Sequence, residues 1–210
     1  MRKAACERLS VILVFGSIWG IIEATLGYAL HLLPALIAGS VMFPLVMFIL
    51  LRARRATTNR IDIILIGFLA AMIKSVNLLM PALNIYKTIN PMVAIILQSL
   101  VVFAVVPLSE RQTNIAKLVV LVASSIAWRG LFLAFQGVNF LVSGYLASQL
   151  TSLGAIGDFL IVGGLLSGVL VMLAAGAESL LRGFSLRPLT SKLWIGAPVF
   201  ALAVILTIVL

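Results

Sequence analysis

Charge is scarce in this chain: 10% of its 210 residues are Asp, Glu, Lys or Arg, where a soluble domain of ordinary composition carries about a quarter. One cysteine, Cys6, excludes an internal disulfide and any multi-cysteine metal site. One histidine, His31, excludes His-pair motifs such as HExxH. No GxxxxGK[ST] loop is present, so ATP is not held by that route. Paired acids and a nucleophile motif are missing too, so the chain is not expected to be an enzyme, and nothing calls for a metal or other cofactor. No polar stretch is long enough for a soluble domain. Residues 1–210 read as a single integral membrane domain.

Apolar sequence fills the space, at 63% of residues. Seven runs are long enough to span a bilayer of about 30 Å at 1.5 Å per residue: 9–30, 34–51, 61–80, 92–108, 118–135, 159–181 and 193–210. The expected fold is therefore an all-α, polytopic transmembrane helical bundle of about seven spans, with six as the alternative count. The uncharged segment 137–157 carries Asn139, Ser143, Ser148, Gln149, Thr151 and Ser152, which are expensive facing lipid. It is expected to be an interfacial or re-entrant helix rather than an eighth span.

Orientation follows from the basic residues. Alternate connections hold 12 of the 15, including Arg2, Lys3, Arg8, Arg52, Arg54, Arg55, Arg60, Arg111, Lys117, Arg182, Arg187 and Lys192. The other side has Lys87, and Lys74 and Arg129 lie within spans. The N-terminus is thus expected in the cytoplasm, as an uncleaved first helix, with the C-terminus outside and the protein in the cell membrane. The net charge of +9 reads as this asymmetry, with affinity for anionic lipid headgroups, and not as a nucleic-acid signature.

Within the first run, Gly16, Gly20 and Ala24 lie four apart along one face. Small residues at that spacing let a second helix approach closely, so this ridge is the expected partner-helix contact. The same run contains a carboxylate, Glu23, one turn after Trp19. A charge at that depth costs roughly 2.5–3.5 kcal/mol, so it is expected to face a partner charge, a polar cavity or a ligand. Counted from the basic end of each span, Glu23 lies about 21 Å in, Lys74 about 20 Å, Gln98 about 21 Å and Arg129 about 17 Å, with Asn77 a turn beyond Lys74. Trp19, Glu23, Lys74, Asn77, Gln98 and Arg129 therefore form a candidate substrate-binding layer. Two structural readings compete with it: Glu23 and Arg129 as a buried ion pair, and Gln98 and Asn77 as interhelical glue. Elsewhere Asp62 suits the first turn of its span, Asp158 suits an N-cap, and Glu178 has Arg182 four residues on. Gly164 and Gly168 form a second ridge. The run 193–210 looks peripheral.

A small, basic, wholly embedded chain with Gly16, Gly20 and Ala24 on its first helix resembles the substrate-binding S components of energy-coupling-factor vitamin transporters. The resemblance implies that the small-residue repeat meets a transmembrane coupling subunit, that cytoplasmic ATPases supply the energy, and that the ligand pocket opens outward. The chain departs from the family's usual six helices and from its longer connection after helix 1. The expected function is capture of a small polar molecule for uptake, with Lys74 and Arg129 favouring an anionic group on it. A self-contained transporter or channel in which Glu23 takes up a proton, and a scaffold subunit of a membrane complex, stay open as alternatives.

Overall fold

The computed structural model describes residues 2–30, 35–57, 59–79, 85–111 and 114–210, and among these there are helices and no strand. Helix α1 spans Arg2–Ile22 and continues through a π-helical turn, Glu23–Gly27, into Tyr28–Leu30. α2 is Ala35–Ala56, α3 Asp62–Ser75 and α4 Tyr86–Arg111. α5 is Asn114–Ser143. α6 runs over Leu153–Leu180 with a π-helical turn at Asp158–Val162. A short α7, Arg187–Thr190, precedes α8, Leu193–Val209.

Five of these stretches are long and apolar enough to cross a membrane: Ala4–Gly27, Asp62–Leu79, Tyr86–Leu108, Ile115–Ser143 and Leu153–Leu180. α2 has 22 residues but ends in arginines, and α8 has 17. Large apolar side chains stand exposed along the long helices, among them Phe68, Leu141, Leu165 and Leu173. Such a skin is stable against lipid and costly against water. Several hydroxyls are satisfied within their own helix, as lipid favours: Ser124 donates to the Leu121 carbonyl, and Thr207 to that of Ala203, while the buried hydroxyls of Ser10, Ser17 and Ser167 have no partner among the described residues.

Six helices pack as a ring. α1 lies on α3, α3 on α4, α4 on α5, α5 on α6 and α6 on α2, with α2 returning to α1. α8 sits outside this ring against α1, where Gly196 backs onto Ser10 and Leu13. Glycines set the closest approaches. A Cβ on Gly67 of α3 would lie 2.3 Å from the Ser99 Cβ of α4, and one on Gly168 of α6 would lie 2.9 Å from Val122 of α5. The ridge of α1 is used in the same way: Gly16 faces Leu69 and Gly20 faces Ile73, both on α3. Its partner is thus a helix of the same chain.

The half of the ring at the basic connections is filled. Phe15, Phe43, Val46, Met47, Leu50, Ile63, Ile66, Val102 and Val171 are buried together. Several of its charges are paired. Arg8 pairs with Asp62 at 2.7 Å, Arg55 with Glu178, and Arg52 donates to the carbonyls of Leu181 and Phe184. Glu178 therefore pairs across helices, where an in-helix contact to Arg182 was expected; the side chain of Arg182, with His31 and Pro34, lies outside the described residues.

The segment 137–157 is no separate interfacial helix. α5 continues through Ser143, the chain turns at Gly144 with φ of +72°, a single 3-10 turn covers Ser148–Leu150, and α6 begins at Leu153. Uninterrupted helical sequence carries the polar residues past the end of the apolar run. Ser152 caps α6 by accepting from the Ala155 amide, so Asp158 is not the N-cap but the first residue of a π-helical turn.

Candidate functional site

At the end opposite the basic connections the ring is hollow. A cavity of about 470 Å³ lies between α1, α2, α4, α5 and α6, roofed by Tyr145, Ala147, Ser148 and Gln149 from the α5–α6 connection. Sequence spacing explains its walls. Asn90, Ala94 and Gln98 recur every four residues on α4, and Trp128, Phe132 and Gln136 do so on α5, so each set forms one stripe along a helix face. Both π-helical turns border the cavity, one contributing Glu23 and Gly27, the other Phe159. An inserted residue shifts the register of a helix locally, and such turns recur at functional sites. Pro91, also on the wall, has no N–H to give the Lys87 carbonyl one turn earlier.

Aromatic rings make the apolar wall. Trp128 meets Phe159 edge-on with centroids 6.1 Å apart, and Phe132 lies 6.1 Å from the same ring. At the mouth Tyr86 and Tyr145 stack at 4.0 Å, pinning the connection to the start of α4.

The polar groups differ from those at the packed end. Glu23 is half-buried and forms no hydrogen bond or ion pair with any described residue; Lys74 of α3 acts on it only through space. Gln98 and Gln136 are 5% and 1% exposed and have no hydrogen-bond partner among the described residues. The Oε1 of Gln136 and the Oδ1 of Asn90 are sealed from solvent and unpaired. A buried amide in that condition costs about 1–3 kcal/mol. Several of them converging on one cavity mark a place where something else supplies the partners.

Of the residues expected in the polar layer, Glu23 and Gln98 are on this wall and four are not. Trp19 is fully buried in the core against Gly67. Lys74 and Asn77 sit on α3 and the turn after it, a helix that contributes nothing to the cavity. Arg129 is also fully buried, but behind the wall: it donates to the Phe159 carbonyl at 3.1 Å and to the Ser40 hydroxyl at 3.2 Å. Its guanidinium lies 5.0 Å from the Trp128 ring and 4.9 Å from that of Phe159. No Glu23–Arg129 ion pair forms among the described residues. Arg129 instead braces the π-helical turn and the aromatic wall.

Sequence reasoning missed Asn90, Gln136, Lys87 and the rings of Phe132 and Phe159. The signal was present as two i, i+4, i+8 stripes. The polar ends of those stripes, Asn90 and Gln136, lie just outside the apolar runs 92–108 and 118–135. No protein-family model matches the chain, and no curated protein or solved structure is detectably similar to it.

Proposed function

We propose that this protein is a membrane-embedded substrate-capture subunit, taking a small polar molecule into the cavity at the end remote from its basic connections. The observation that carries this reading is the convergence of Glu23, Asn90, Gln98 and Gln136, all without partners among the described residues, on one cavity walled by aromatic rings. Helical bundles build ligand sites in this way, with a few polar groups set in an apolar concavity. In this reading all seven apolar helices cross the membrane, with α8 a lipid-facing addition to a six-helix ring. The N-terminus is cytoplasmic and the cavity opens outward.

Energy for release comes from partner chains, an ATPase and a transmembrane coupling subunit, since the sequence has no phosphate-binding loop of its own. Because Gly16 and Gly20 are occupied by α3, such a subunit docks elsewhere than on that ridge. Purification in native lipids, followed by mass spectrometry of small molecules and proteins, tests the whole reading. A stoichiometric polar metabolite together with an ATPase supports it. A metabolite without partner chains points to a self-contained carrier, and partner chains with an empty cavity point to a scaffold.

A further inference from the structure

The cavity has two charged wall residues among those described, and they stand at opposite ends. Trp19 of α1 and Ser99 of α4 both abut Gly67, which places them at one level of the ring. Counting outward from that level at 1.5 Å per residue, Glu23 is about 6 Å up α1 and Lys87 about 18 Å up α4. Glu23 therefore belongs to the floor, with Gln98 and Trp128, and Lys87 to the mouth, where it is exposed beside Tyr86. Asn90 and Gln136 lie between.

Each end has its own chemistry. The floor offers a carboxylate, which only accepts hydrogen bonds while ionised, next to an amide that both accepts and donates. The two other cations at depth, Lys74 and Arg129, are off the wall, so they meet no bound molecule directly. Lys74 offsets the Glu23 charge from outside, which favours a neutral N–H donor at the floor over a full cation. The mouth offers an ammonium, which only donates. The middle is aromatic and suits a flat ring.

We infer that the cavity takes a two-ended ligand: a planar ring bearing N–H donors that face Glu23 and Gln98 at the floor, with an anionic group held by Lys87 at the mouth. This rests on reading the cavity as a substrate site, and it revises the anion contact from Lys74 and Arg129 to Lys87. The polarity follows from which side chains reach the wall, a distinction that sequence depth alone does not make.

Three matched probes separate the two ends: 4-(4-aminophenyl)butanoate, 4-phenylbutanoate without the amine, and 4-(4-aminophenyl)butanamide without the charge. Binding to the full chain in lipid nanodiscs is followed by equilibrium dialysis, with empty nanodiscs subtracted. The amino acid probe is expected to bind at least tenfold more tightly than either relative. Glu23→Gln should shrink its advantage over 4-phenylbutanoate and leave its advantage over the amide. Lys87→Gln, at an exposed position that the fold does not use, should do the reverse. Equal binding of 4-phenylbutanoate and the amino acid, or variants that act on the wrong end, overturns the two-ended assignment while the site stands. If none of the three binds beyond empty nanodiscs, the small-molecule reading of the cavity falls with it.

Discussion

The two ends of this ring hold similar polar groups, but the cross-helix ion pairs of one have no counterpart among the described residues of the other. At the basic end, Arg52, Arg55 and Glu178 are inside or beside the bundle and bonded to one another or to carbonyls. At the hollow end, Glu23, Asn90, Gln98 and Gln136 are as costly to bury and have no hydrogen-bond or ion-pair partner among the described residues. A buried polar group that is satisfied holds helices in place; one left unsatisfied lowers stability and is kept for another purpose. On the proposed function, the difference separates structural polarity from polarity kept for a ligand.

The comparison breaks most visibly at Arg52. Arg52→Met leaves the Phe184 carbonyl without its donor, takes one of two donors from the Leu181 carbonyl, and removes a cation 4.0 Å from a nearly buried Glu178, which keeps Arg55. Loss of about 3 kcal/mol of unfolding free energy is expected, read from chemical denaturation in mixed micelles. Next comes Gly67→Ala, where the new methyl meets the Ser99 Cβ with no flexible tip to yield. It should cost about 1–3 kcal/mol in the same assay. The smallest effect has the opposite sign. Gly137 on α5, near the hollow end, has nothing within 4 Å of a built Cβ. Gly137→Ala should stabilise by about 0.4–1 kcal/mol through the unfolded chain, a gain that a denaturation midpoint resolves.

How far the sequence foretold this depends on what each feature rests on. Helix and class were legible, because lipid forces uninterrupted apolar runs and internal hydrogen bonding. The α1 ridge was legible as a contact face, but small residues at four-residue spacing do not say whose helix approaches, and here it is α3. The site was half legible. Depth along a span groups Glu23 and Gln98, both on the cavity wall, with Lys74 and Arg129, which are not. Which residues share a cavity depends on helix rotation, and local register is altered by the π-helical turns at Glu23–Gly27 and Asp158–Val162. Nothing in EATLG or DFLIV announces such a turn. Gln136 was lost for a plainer reason: hydropathy ends a run where polarity begins, although the helix and its facing stripe go on.

The central claim is that the unpaired amides of the hollow end do not hold the fold together. It is tested most directly by the unfolding free energy of one variant, Asn90→Leu with Gln98→Leu and Gln136→Leu, measured beside wild type in the same micelles. Removing unsatisfied buried groups and filling space is predicted to leave stability equal to or above wild type, with binding of 4-(4-aminophenyl)butanoate abolished. A loss of stability comparable to that of Arg52→Met would contradict the account, because those amides would then be structural after all.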